Sequence, residues 1–244
     1  MNKIWILPMA GKGTRTSTFG ACKPAISIYG RSICSWCLLG IKKHISPSDK
    51  IYAITTNYFQ REFDLEFLLK KALEDYEIDA ELKLITLSET PPGPAASVYA
   101  AREYIPMGKY SLVVVNIDQF CDFEFPSFEL DWDAFLPIYF NNTGKSSYAS
   151  IINGKIINLE EKKLISNYAS AGVYGFRNYS ILFDLIYDAM KLTPHRDGEY
   201  FIAPILSKMA QEGKLILPTS VFAKYDLGNI NGINRFKDLI SLIS

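Results

Sequence analysis

Three cations gather around a pair of glycines near the start of the chain. The apolar run Ile4-Trp5-Ile6-Leu7-Pro8 leads into Met9-Ala10-Gly11-Lys12-Gly13-Thr14-Arg15, and Lys23-Pro24 follows. A buried strand that ends in small residues makes a tight loop whose backbone comes close to something. With Lys12, Arg15 and Lys23 nearby, that something is expected to be anionic: free backbone N–H groups beside fixed positive charge form a phosphate cradle. The simpler reading is a tight strand-to-helix turn. The spacing lacks the GxxxxGK[ST] of a P-loop. It also lacks the third glycine of a dinucleotide fingerprint, since position 16 is Thr, and no acid closes Ile51–Thr56.

Carboxylates supply the second chemistry. Asp118 emerges from the apolar run Leu112-Val113-Val114-Val115 through Asn116 and Ile117. A carboxylate there is costly unless it is paired or binds a metal, although solvation in a loop or a capping role would also satisfy it. Asp226, before Leu227-Gly228, is the natural second carboxylate. Two oxygen ligands together with substrate phosphates suit Mg²⁺. Taken alone, Glu160-Glu161-Lys162-Lys163 is most simply a solvated charge run. His44 and His195 lie in no motif and read as structural or surface residues. The CxxC of Cys34 and Cys37 sits in Ile33-Cys34-Ser35-Trp36-Cys37-Leu38-Leu39, without a second ligand pair, and reads as helix core.

The elements that would position these groups alternate through the first half. Strands are expected at 3–9, 51–56, 82–87 and 112–115, with helices at 32–43, 59–76 and 95–104. Ser32 is the expected cap of the first helix. Alternation of this kind implies a parallel sheet with helices on both faces, and ligands bind beyond the C-terminal ends of such strands. Three candidate segments converge there: the glycine loop, Pro91-Pro92-Gly93-Pro94, and Asn116-Ile117-Asp118. The second half changes texture. Asn153-Gly154 predicts a hairpin joining 147–152 and 155–159. A strand at 169–176 contains Gly172, and helices are expected at 180–192, after 199 to about 211, and at 232–243, with a strand at 215–217.

Composition sets the outer bounds. The 244 residues suffice for a sizeable core, read as one unit with a first part, 1–120, and a second, 121–244, that includes the C-terminal helix. Lys+Arg and Asp+Glu both total 26, which argues against a general binder of nucleic acid or anionic membranes. No apolar run is long enough for a membrane span, and the N-terminus does not read as a secretory signal, so a cytoplasmic location is expected. The aromatic-rich stretch 120–140 could supply an interface for a homo-oligomer.

In motif order the chain resembles the sugar-phosphate nucleotidyltransferases, also called nucleotidyl-pyrophosphorylases. The resemblance rests on Gly11-Lys12-Gly13-Thr14-Arg15 with Lys23-Pro24, on Gly93-Pro94-Ala95-Ala96, and on Asp118. It continues through Glu161-Lys162, Gly172-Val173-Tyr174-Gly175-Phe176, Gly198-Glu199 and Asp226-Leu227-Gly228. It departs where Pro94 replaces the usual Thr of the base loop, where no proline follows Glu161-Lys162, and where Asn229 follows Asp226-Leu227-Gly228. Nothing reads as a C-terminal β-helix. Short members that open with Pro-Met-Ala-Gly resemble those associated with capsule or other surface polysaccharides.

The resemblance implies an α/β fold: a Rossmann-like, mostly parallel sheet flanked by helices, with a β-hairpin-containing acceptor-binding region. It implies transfer of a nucleoside monophosphate from a triphosphate to a phosphorylated small-molecule acceptor. By the same resemblance Arg15 and Lys23 are catalytic. Met9, Ala10, Gly11, Lys12, Gly13, Thr14, Gly93, Ala96 and Asn116 bind nucleotide. Glu161, Lys162, Gly172 and Glu199 bind the acceptor, and Asp118 and Asp226 hold Mg²⁺. A non-catalytic nucleotide-binding protein, a dinucleotide-dependent oxidoreductase and a glycosyltransferase are the competing readings. Within the transferases, phosphocholine is the alternative acceptor.

Overall fold

The computed structural model describes residues 1–11, 22–106, 108–192 and 198–243. The loop residues Lys12, Gly13, Thr14 and Arg15, like His195, lie outside them.

Strand β1 (Asn2–Pro8) is apolar on both faces because it is central, with Ile4 to Leu7 fully buried. The tiny hairpin β2 (Ser27–Ile28) and β3 (Arg31–Ser32) leads into α1 (Ile33–Ile41). Ser32 caps that helix as expected, its hydroxyl accepting from the Ser35 N–H at 3.3 Å. Then come β4 (Lys50–Thr56), α2 (Asn57–Phe63), α3 (Leu65–Asp75) and β5 (Glu81–Leu87). The single helix expected over 59–76 is broken in two: Asp64 adopts the left-handed conformation (φ 42°), ends α2, and caps α3 by accepting from the Phe67 N–H. Helix α4 (Pro94–Ala100) is shorter than expected and gives way to a 3-10 turn over Arg102–Tyr104. β6 (Tyr110–Val115) completes the first half.

The order β6-β1-β4-β5 is parallel throughout. The second half extends the same sheet from β6 with antiparallel strands. Two of its strands are not legible in the sequence, β7 (Gln119–Phe123) and β8 (Ala134–Phe140). The hairpin β9 (Ser147–Ile152) and β10 (Lys155–Glu161) turns at Asn153-Gly154, both at positive φ, as predicted. The strand expected over 169–176 is two, β11 (Tyr168–Ser170) and β12 (Val173–Phe176), separated at Gly172 (φ 75°). Helices α5 (Tyr179–Leu192) and α6 (Ile202–Gln211) follow. β13 (Ile216–Asp226) is far longer than the three residues expected, and α7 (Ile230–Ile243) is the last element.

β12 pairs antiparallel with β6, so the two halves share one eleven-stranded sheet among the described residues. β13 runs parallel beside β8 and then antiparallel beside β7. The aromatics of 120–140 are largely spent on the chain's own core: Phe123, Trp132 and Phe135 are fully buried and pack on one another. Among the described residues, no helix is long and apolar enough to cross a membrane.

Candidate active site

A cavity of about 310 Å³ opens beyond the C-terminal ends of β1 and β6. From the first half, Met9, Gly11, Lys23, Asn116 and Asp118 line it; from the second half, Glu161, Lys162, Gly172, Glu199 and Asp226 do. Residues distant in sequence and singled out for chemistry therefore share one space. Ala10, Gly93 and Ala96 are not in its wall, and Ala10 and Ala96 are buried.

The β7–β13 register brings the two aspartates together. Asp226 stands opposite Gln119, and the Leu227 N–H donates to the Asp118 carbonyl at 2.8 Å. Both carboxylates close over Gly228. A Cβ built there would lie 2.5 Å from Asp118 Oδ2 and 3.0 Å from Asp226 Oδ1. Asp226 is oriented by the Gly228 N–H (2.8 Å) and by Asn229 Nδ2 (2.6 Å). Lys23 Nζ meets Asp118 Oδ2 at 3.0 Å. Lys23 is held there by a 3-10 turn, Lys23–Ala25, whose Pro24 is buried. Among the described residues no group of three or more His, Cys, Asp or Glu side chains is arranged to hold a metal ion. The paired aspartates nevertheless fit Mg²⁺: their donors are hard oxygens, and this ion takes one or two carboxylates and fills its other positions with water and phosphate.

The opposite wall is wired differently. Ser147 Oγ donates to Glu161 Oε2, and the Tyr174 side chain lies near Ser147, Ser170 and the Glu161 charge. The Gly172 N–H donates to Ser170 Oγ at 3.0 Å. Burial, with the Glu161 charge adding, pushes the Tyr174 phenol up to about 12, so it stays a donor at neutral pH.

Lys162 is at positive φ (51°), its N–H donating to the Ser146 carbonyl at 3.0 Å, and its ammonium lies 4.8 Å from the Phe201 ring centre. Gly172 is favoured by its φ of 75°, and a Cβ there would push aside the side-chain ends of Asn116 (Nδ2 at 2.8 Å) and Gln119 (Oε1 at 2.9 Å).

The loop expected to read the base has a structural duty. Gly93 (φ 92°) passes so close to Tyr200 that a Cβ would lie 2.4 Å from the Tyr200 nitrogen. The Ala95 N–H donates to the Tyr200 carbonyl (2.9 Å) and the Tyr200 N–H to the Pro92 carbonyl (2.8 Å). The N–H groups of Gly93 and Met9 are also spent inside the fold, on the Pro91 and Ile54 carbonyls. These N–H donors are therefore committed within the chain rather than offered to a base.

Sequence reasoning missed Gln119, Lys145, Tyr174, Phe201 and Lys224, all of which line the cavity. Lys224 had a signal: it lies two residues before Asp226, and alternate residues of a strand share a face. The cysteines behave as read. All four are buried and free; burial pushes Cys34 up to about 11 and Cys37 well upward. His44 sits away from the cavity, against Phe123 and bonded to its carbonyl at 2.8 Å.

No protein-family model and no curated protein sequence matches the chain. Solved structures do. A nucleoside-diphosphate-sugar pyrophosphorylase from Vibrio cholerae RC9 superposes with a TM-score of 0.83 at 22% identity, over 96% of this chain and 99% of that one. A UDP-glucose pyrophosphorylase in complex with UDP-glucose gives 0.77 at 15% identity, covering 100% of both chains. The inositol-1-phosphate CTP transferase of T. maritima gives 0.73 at 14%, over 98% and 95%. The chain has the fold of the nucleotide-sugar pyrophosphorylases. That likeness extends from end to end, hairpin and final helix included, and is a likeness of architecture.

Proposed function

We propose that the protein is a nucleotidyltransferase that joins a nucleoside triphosphate to a phosphorylated acceptor, a sugar 1-phosphate before others. The observation that carries this reading is the convergence of Asp118, Asp226 and Lys23 with Glu161 and Lys162 around one cavity. In the reaction an acceptor phosphate oxygen bonds to the α-phosphorus. The bond from that phosphorus to the bridging oxygen breaks, and pyrophosphate leaves with the electron pair. The nucleophile is already ionised at neutral pH, so no general base is needed, which agrees with a site lacking histidine among the described residues.

Catalysis then rests on positioning and charge neutralisation. Lys23 neutralises charge on the α-phosphate. Lys162 holds the acceptor phosphate. Glu161, held by Ser147, accepts from acceptor hydroxyls, and Glu199, in the same cavity wall, does likewise. Arg15 and Lys12 would grip the departing phosphates, and Gly11, with Asn116, flanks the nucleotide. Asp118 and Asp226 would hold Mg²⁺, which when bound supplies positive charge between the phosphates. The product suits assembly of a surface polysaccharide from cytoplasmic precursors.

The test is pyrophosphate release, with four nucleoside triphosphates each offered a panel of phosphorylated acceptors. One combination should release it, and Asp118→Asn should lower that turnover by about 10²-fold or more while the protein stays folded. Unchanged turnover in the variant would end the role of Asp118; no release from any combination would leave nucleotide binding without catalysis.

A further inference from the structure

Lys23 Nζ rests on Asp118 Oδ2 at 3.0 Å, and that oxygen is the one turned toward Asp226. The point where a Cβ would stand on Gly228 is 2.5 Å from Asp118 Oδ2 and 3.0 Å from Asp226 Oδ1, so these two oxygens come together over the glycine. The ammonium therefore sits on the carboxylate oxygen that a shared metal ion would need.

The two aspartates are held in different ways. Asp226 is engaged from its own loop: Oδ1 accepts from the Gly228 N–H at 2.8 Å and Oδ2 from Asn229 Nδ2 at 2.6 Å. Asp118 is held by a side chain from a distant element. The backbone under Lys23 is fixed by the 3-10 turn Lys23–Ala25 and the buried Pro24. Its ammonium, at the end of a flexible four-carbon stem, is free to swing. With the two side chains 13% and 31% exposed, the pair is partly shielded from solvent, and its charges act more strongly than on an open surface. An ammonium and a divalent cation on one carboxylate oxygen repel at close range.

We propose that Lys23 holds the metal's place on Asp118 in the free protein and that, in turning to the α-phosphate, it clears that place for Mg²⁺. The inference rests on the transferase reading above, which gives Lys23 and Asp118 their partners. Lys23 then has two positions, one for each state of the site. Metal and triphosphate bind with positive coupling through it, and the coupling is reciprocal. The free protein is a poor metal binder because its own cation competes.

Mn²⁺ is the probe, and water-proton relaxation reads the protein-bound ion without turnover. Lys23→Met keeps the apolar stem and loses the charge; Lys23→Gln is the second variant, and circular dichroism checks that both are folded. Each should bind Mn²⁺ alone about tenfold or more tighter than the unmodified protein. Asp118→Asn combined with Lys23→Met should erase the gain. Lys162→Met removes an equal charge from the opposite wall of the cavity and should gain far less. Equal affinities in the unmodified protein and the Lys23 variants would overturn the proposal. So would a gain that survives Asp118→Asn, or one as large in Lys162→Met, which would assign the effect to net charge. Each of the four nucleoside triphosphates is then added in turn. The one that binds should raise bound Mn²⁺ by a larger factor in the unmodified protein than in the Lys23 variants; an equal factor would overturn the clearing step. A gain in the Lys23 variants with no pyrophosphate release from any triphosphate would keep Lys23 in the metal's place and sink the transferase reading alone. Pyrophosphate release with equal Mn²⁺ affinities would sink the role of Lys23 as a stand-in and leave the transferase.

Discussion

Gly228 is the smallest residue in the site and sets the spacing of its two largest charges. Its φ is not in the left-handed region, so alanine is permitted by the backbone and excluded only by the carboxylates above it. Gly228→Ala is therefore a clean probe. It should lower Mg²⁺-dependent turnover by about tenfold or more, with a melting temperature close to that of the unmodified protein; intact turnover would show that the aspartates need not meet there. Tyr174→Phe removes a buried hydroxyl from the cavity wall that carries Glu161. The acceptor KM should rise several-fold while the triphosphate KM holds, at a stability cost of about 1–2 kcal/mol. If both KM values rise together, Tyr174 supports the wall and not Glu161. Asp118 was legible because it follows an apolar run, and Asp226 because it stands before Leu227-Gly228. Lys145 and Gln119 were not, because only the folded sheet brings them to the cavity and no local pattern marks them.

Single residues decide where the elements stop. Asp64 combines an unfavourable left-handed φ with a favourable cap on α3, where its Oδ1 accepts from the Phe67 N–H at 3.3 Å. Asp64→Ala keeps the strain and loses the cap, so it should destabilise by about 1–2 kcal/mol in denaturant titrations. Asp64→Gly relieves the strain and should cost less. Equal losses would mean that the left-handed turn carries no strain. The apolar spacing of Phe63, Phe67 and Leu68 is nearly helical across the break, which is why the sequence reads as one helix. β1, β4 and β6 are legible for the opposite reason: both faces are apolar, and no other element looks like that. β8 is hidden by Pro137, a residue that argues against a strand. β7 is hidden by its inverted pattern, with Gln119 and Cys121 buried and Phe120 half-exposed.

At the scale of the molecule, the two halves are joined through β6–β12 and through the Gly93–Tyr200 contact, so the nucleotide side and the acceptor side of the cavity share one frame. The fold also contains a pH-sensitive brace. His44 packs between Phe123 and Phe125, and its pKa is lowered from 6.5, chiefly by burial. The Phe123 carbonyl and Asp122 act the other way, while Lys43 and Lys3 reinforce the lowering. A lowered folded pKa means that the unfolded chain binds the proton more readily. The group then leaves stability untouched above pH 6.5, and stability falls as pH drops below that value. Thermal melts at about pH 7.5 and 5.5 should show a drop that is smaller in His44→Gln. An identical drop in the two proteins would assign the acid sensitivity elsewhere.

β1 has one further consequence, in time rather than in space. It is synthesised before both of its partners, β4 and β6, yet it is a central strand. β4 can cover one of its edges early, but the other stays open until residues 110–115 have been made. For that interval the nascent chain carries an apolar, unpaired strand edge, which invites pairing with other chains or capture by chaperones. The strand that delivers Pro8 and Met9 to the cavity is thus made before both of its partners and enclosed only by the second of them.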